Sequence, residues 1–83
     1  MKIRYFAWVR ERTGLAEEDV DLPAGVETAS DLMRWLSGRG ENYEMAFGEP
    51  DHIRIAFDQV HVTADARLGE VDEVAFFPPM TGG

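Results

Sequence analysis

Asp72-Glu73-Val74-Ala75-Phe76-Phe77-Pro78-Pro79-Met80-Thr81-Gly82-Gly83 is the stretch around which the rest of the sequence organises. Residues 72–77 read as a strand, and its two phenylalanines must then point to opposite sheet faces. One is expected in the core; the other is expected outside, beside the root of the tail. Pro78-Pro79 stops the strand, because proline has no N–H to give to a ladder. Paired prolines also favour extended backbone, so Met80-Thr81-Gly82-Gly83 is expected to project outward. The six residues after Phe77 can span roughly 20 Å at about 3.3–3.6 Å per residue. That is enough to enter another protein's active site while the domain stays outside. Gly82 and Gly83 lack a Cβ, so a narrow channel can close around them. A lone Gly-Gly end also fits simple fraying; the strand and the prolines behind it point instead to a working carboxylate. Such a group becomes an acyl donor only after activation, for example as an acyl-adenylate, so catalytic residues are expected in partner proteins.

Upstream, residues 2–9 alternate Ile3, Tyr5, Ala7 and Val9 against Lys2, Arg4, Phe6 and Trp8. This period of two predicts a first strand, with Gly14 as a turn or helix stop beyond it. Residues 17–22, closed by Pro23 and Gly25, predict a second strand pairing back on the first. Thr28 and Asp31 form a capping-box-like start for a helix carrying Ala29, Leu32, Met33, Trp35 and Leu36 on one face. Trp35 is expected in the core, and Gly38 and Gly40 are expected to end the helix through left-handed geometry. Tyr43, Met45, Ala46 and Phe47 predict a short second helix or a packed loop. Residues 53–57, a tight turn at Asp58-Gln59, and residues 60–62 predict a hairpin. The order β-β-α-β-β-β gives an α+β layer: a mixed sheet packed on one main helix. The apolar character of residues 3–9 and 74–77 fits two central strands.

Composition narrows the function. The chain has 83 residues, 45% of them hydrophobic and 29% charged, which is one globular domain. No apolar stretch approaches the roughly 18 residues of a membrane span. The opening residues are too short and too charged for a signal peptide, and a cytoplasmic protein is expected. With no cysteine, disulfides, thiolate metal sites and thiol nucleophiles are excluded. The net charge of −8 argues against nucleic-acid binding. It has two further readings: steering toward basic protein surfaces, or solubility alone. Lys2 is the single lysine.

The C-terminal run, together with Phe6-Ala7-Trp8-Val9-Arg10-Glu11, resembles the small subunit of molybdopterin synthase, the MoaD family. The resemblance implies a ubiquitin-like β-grasp body over residues 1–77 and a carrier tail over residues 78–83. It implies that Gly83 is adenylated by a ubiquitin-activating-type enzyme that uses ATP, and then carries a thiocarboxylate. The tail would enter the large subunit, in a heterotetramer of two carriers and two large subunits. There it would donate sulfur to cyclic pyranopterin monophosphate. No bound cofactor or metal is implied. Gly82, Thr81, Met80, Pro79, Phe77 and Phe6 would dock on partners, and Arg10 would meet acidic groups on the activating enzyme. The family often has Gly-Asp-Glu-Val before the last strand; here Val71 stands first, and Gly69 is expected to make the turn. His61 stands where relatives tend to be apolar and is expected to weaken or retune a docking patch.

The remaining candidates have plainer readings. His52 and His61 are isolated, without metal-ligand spacing. Glu17-Glu18-Asp19 reads as a solvated strand edge or turn. Three alternatives stay open at this point: a carrier for thiamin, cysteine or tRNA thiolation; a ubiquitin-like modifier joined to lysines; and an interaction module with an inert tail. The relatives in those other thiolation pathways generally lack the Phe-Phe-Pro-Pro approach to the glycines.

Overall fold

The computed structural model describes residues 1–79, so the expectations for Met80, Thr81, Gly82 and Gly83 fall outside the described residues. The strands are β1 (Lys2–Tyr5), β2 (Glu17–Asp19), β3 (Arg54–Phe57), β4 (Val60–Val62) and β5 (Glu73–Phe77). The helices are α1 (Ala7–Thr13), α2 (Ala29–Ser37) and α3 (Glu41–Phe47), with a 3-10 turn at Pro50–His52. The sheet order is β2-β1-β5-β3-β4. β1 and β5 are parallel, Ile3 opposite Val74 and Tyr5 opposite Phe76, while the other pairs are antiparallel. First and last strands side by side at the centre of a mixed sheet make the expected α+β β-grasp.

One sheet face carries the core. Ile3, Tyr5, Ile55, Phe57, Val74 and Phe76 point into it, against Val9, Leu32, Met33, Leu36 and Phe47 from the helices. Tyr5, Phe47 and Phe76 form an aromatic trio with ring centroids 5.0–6.3 Å apart, a spacing at which rings attract edge to face or offset. The capping box at the start of α2 is present: the Asp31 amide donates to Thr28 Oγ1, and Asp31 accepts from the Thr28 amide. The hairpin turn is also present, with Asp58 and Gln59 both at positive φ, the geometry of a two-residue type I′ turn. Gly69, at φ +49°, makes the turn before β5, closed by the Val71 amide on the Leu68 carbonyl.

Several expectations about individual elements are corrected. The first strand ends at Tyr5, not Val9, and the chain turns into α1. Tyr5, Val9 and Thr13 are all buried at a spacing of four, which suits a helix as well as an alternating strand. The sheet therefore packs on three helices, with α2 the longest. Gly38 has φ −82° and does not end α2 in left-handed geometry; Gly38 and Arg39 donate to the Trp35 and Leu36 carbonyls in a tightened last turn. Gly40 is extended, and a Cβ there would sit 2.9 Å from Asn42 Oδ1. Trp35 is only half-buried, with the Arg39 guanidinium 5.1 Å from its ring centroid.

The acidic run Glu17-Glu18-Asp19 divides by strand alternation. Glu17 and Asp19 are exposed on the edge strand β2, as expected. Glu18 points inward and accepts hydrogen bonds from Tyr5 Oη (2.8 Å), Tyr43 Oη (2.7 Å) and Arg39 (2.9 Å). One carboxylate thus ties β1, β2, α3 and the loop after α2. Burial pushes the Glu18 carboxyl up, but the bonds from Tyr43, Tyr5 and Arg39 outweigh it and hold the group below its ordinary value. Burial and the bond to Glu18 keep the Tyr5 phenol protonated as a donor. Glu18→Ala is expected to cost about 3 kcal/mol, because two buried hydroxyls lose their acceptor. A group with a depressed folded pKa stabilises fully above its unfolded value and loses that contribution as pH falls through the folded one. The wild-type melting temperature should therefore drop as pH falls below the ordinary value of 4.5. Glu18→Gln should flatten that part of the profile. A pH–melting curve unchanged by Glu18→Gln would exclude this role.

Candidate functional site

The site is built where β5 ends. Strand alternation sends Phe76 into the core, fully buried, and leaves Phe77 half-buried on the face opposite the one on which the described helices pack. Ala75 lies on that same face, two residues earlier. β1 delivers Phe6 to the same end: its amide donates to the Phe76 carbonyl at 3.0 Å, extending the parallel pairing by one residue. The chain then reverses at Ala7, whose φ of +52° is unusual for a residue with a Cβ and costs about 1–2 kcal/mol. This turn into α1 leaves the Phe6 ring at the surface, 39% exposed.

Phe6, Ala7, Ala75, Phe77, Pro78 and Pro79 together line an almost wholly apolar cradle of about 410 Å³. Of the sequence-predicted site residues, the structure brings Phe6, Phe77 and Pro79 into this one cradle. His61, on the edge strand β4, joins its border: its ring centroid lies 5.2 Å from that of Phe77. Arg10 stands apart from the rings, exposed on α1, one turn beyond Phe6, whose carbonyl its amide contacts.

Other neighbours of the tail root were not read from the sequence. The Arg4 guanidinium lies 5.2 Å from the Phe6 ring centroid. On the other flank, Trp8, Arg12, Glu49, His52, Pro78 and Pro79 line a second groove of about 540 Å³. There the Arg12 guanidinium stacks on Trp8 at 4.4 Å and donates to the Met45 carbonyl, while His52 meets Glu49 at 2.8 Å. Ala75 could have been found from its period-two relation to Phe77. The Trp8–Arg12 pairing had a weaker signal, a helical spacing hidden in a run that also alternates.

Among the described residues no group of three His, Asp or Glu side chains is placed to hold a metal ion. None of the described helices is long and apolar enough to cross a membrane. What the described residues present here is an apolar surface at the point where Pro78 and Pro79 leave the central strand β5.

The model of the ThiS family matches residues 3–83, nearly the whole chain and the segment beyond the cradle with it. The chain belongs to the ThiS family. Within that family it is 34% identical over 83 residues to the molybdopterin synthase sulfur carrier subunit of Escherichia coli, covering 100% of this chain and 99% of that one. The corresponding Haemophilus influenzae subunit is 29% identical with the same coverage. The expected resemblance is thereby borne out, and this member of the ThiS family is a sulfur carrier of the ThiS and MoaD kind. SAMP1 from Haloferax volcanii superposes with a TM-score of 0.74 at 30% identity, covering 100% of this chain and 98% of that one. A putative molybdopterin converting factor subunit 1 from Pyrococcus furiosus gives 0.73 at 31% identity, covering 95% of each.

Proposed function

We propose that this protein is the sulfur carrier subunit of molybdopterin synthase. Residues 1–77 form the docking body and residues 78–83 the carrier tail. Gly83 is adenylated by a ubiquitin-activating-type enzyme with ATP, receives sulfur as a thiocarboxylate, and delivers it to cyclic pyranopterin monophosphate inside the large subunit. The observation that carries this reading is the cradle of Phe6, Ala75, Phe77 and Pro79 at the root of the tail. An apolar patch there lets a partner grip the body while the tail reaches inward. The full-length similarity to two proteins named as sulfur carrier subunits of that synthase supports this pathway. The carrier holds the sulfur and supplies no catalytic side chain.

Intact-mass measurement tests the loading step. After incubation with the activating enzyme, ATP and a sulfur donor, the chain should gain the mass difference between sulfur and oxygen. Loaded carrier and large subunit should then convert the pterin substrate in a single turnover. An unchanged mass with an enzyme that loads the E. coli carrier would count against the reading.

One observation favours a second reading, a protein modifier. The similar Haloferax volcanii protein is a small archaeal modifier protein. Under that reading, an epitope-tagged chain expressed in cells would form a ladder of covalent adducts that disappears when Gly83 is removed.

A further inference from the structure

The cations of this acidic chain are unevenly paired. Acidic side chains outnumber Lys and Arg sixteen to eight, so a cation placed at random should find a carboxylate. Five do: Lys2, Arg4, Arg34, Arg39 and Arg67 each lie 2.9–3.8 Å from one. Among the described residues Arg10, Arg12 and Arg54 make no such pair; Arg12 and Arg54 flank the tail root, and Arg10 stands further along α1. Arg12 lines the groove beside Pro78 and Pro79. Glu49 lines the same groove yet lies against His52, so Arg12 is held by the Trp8 ring and the Met45 carbonyl, neither of which cancels its charge. Arg54 is the cross-strand partner of Phe77 and is exposed. Arg10 is exposed one helical turn beyond Phe6.

Resting on the function just proposed, we propose that Arg10, Arg12 and Arg54 form a cationic collar that docks on a carboxylate-bearing rim of the adenylating partner. The resemblance implied such a role for Arg10 alone; the geometry extends it to both flanks of the tail. On a chain of net charge −8, cations on both flanks of the tail also orient the carrier, because a partner rim of Asp and Glu attracts them and repels the acidic remainder. Charge of this kind acts on encounter and is screened by salt. The collar therefore belongs in KM for the carrier rather than in the chemical step.

Loading kinetics followed by intact mass test the collar, using the full chain and the activating enzyme. Arg12→Glu/Arg54→Glu should raise KM for the carrier by at least about tenfold, since like charges then face each other, with kcat little changed. KM for the wild type should rise with sodium chloride, and that dependence should be shallower for Arg12→Gln/Arg54→Gln. Arg34→Glu, on α2 and paired with Asp31, should load like the wild type, and thermal melts should show each variant folded. A double-reversal variant with wild-type KM, or equal damage from Arg34→Glu, overturns the collar and leaves the sulfur-carrier reading standing. Failure of the wild type to load at all overturns that reading, and the collar with it.

Discussion

Removal of Gly82 and Gly83 should abolish sulfur transfer while the shortened domain melts at an unchanged temperature. Every buried hydrophobic residue among those described lies at or before Phe76, and β5 ends at Phe77. Two residues well beyond the last strand thus hold none of the described core, whose burial supplies most of the folding free energy. Under the proposed function the chemistry, in contrast, depends on them entirely, because they would bring the acyl carbon to the partner's active site. Gly82→Val makes a subtler version of the same test: it keeps the carboxylate but adds a branched Cβ where a narrow channel is expected to close. Loading of the valine variant should fall by orders of magnitude, with the fold intact. Wild-type loading by the truncated chain would refute the assignment of the tail.

The two neighbouring phenylalanines should separate stability from docking. Phe76→Ala removes a fully buried ring that meets Tyr5 and Phe47. Such truncations cost about 3–5 kcal/mol, against a total of about 5–15 for a small domain. The variant should therefore be largely unfolded on warming, visible in a denaturant or thermal melt. Phe77→Ala removes a half-buried ring from the face opposite the described helices and should cost much less, about 1 kcal/mol. Its effect should appear in binding, since a large aromatic at the centre of a docking patch is the type of residue that dominates interface energy. The large subunit should bind Phe77→Ala at least about tenfold more weakly, with Phe6→Ala intermediate. Equal melting losses for the two variants would show that Phe77 belongs to the core after all.

The legible parts of this protein are those where local rules and distant packing agree. The stop at the prolines, the capping box at Thr28 and Asp31, and the Asp58-Gln59 turn each rest on effects within a few residues. The opposed roles of Phe76 and Phe77 follow from strand alternation alone. The boundary at Tyr5 was not legible, because Tyr5, Val9 and Thr13 at a spacing of four fit a buried strand face and a buried helix face equally. Only the turn at Ala7, held by packing on both sides, separates β1 from α1. Glu18 was misread with its neighbours because its partners lie 13, 21 and 25 residues away in sequence. A carboxylate in a polar run looks solvated until the fold brings two phenols and a guanidinium to it.

By itself, the sequence determined a last strand that stops before Pro78-Pro79, two glycines at positions 82 and 83, and a chain with no cysteine. Chain stiffness, strand alternation and residue size decide these features, and all three are local. The tertiary structure decided what surrounds the tail. Parallel pairing of β1 with β5 brings Phe6, six residues from one end of the chain, beside Phe77, and the turn at Ala7 leaves its ring exposed. The same packing sets Arg12 and Arg54 on either flank, with no carboxylate partner among the described residues. Pairing across some seventy residues has no local signature, because it arises from which faces are buried together and not from any one residue's preference.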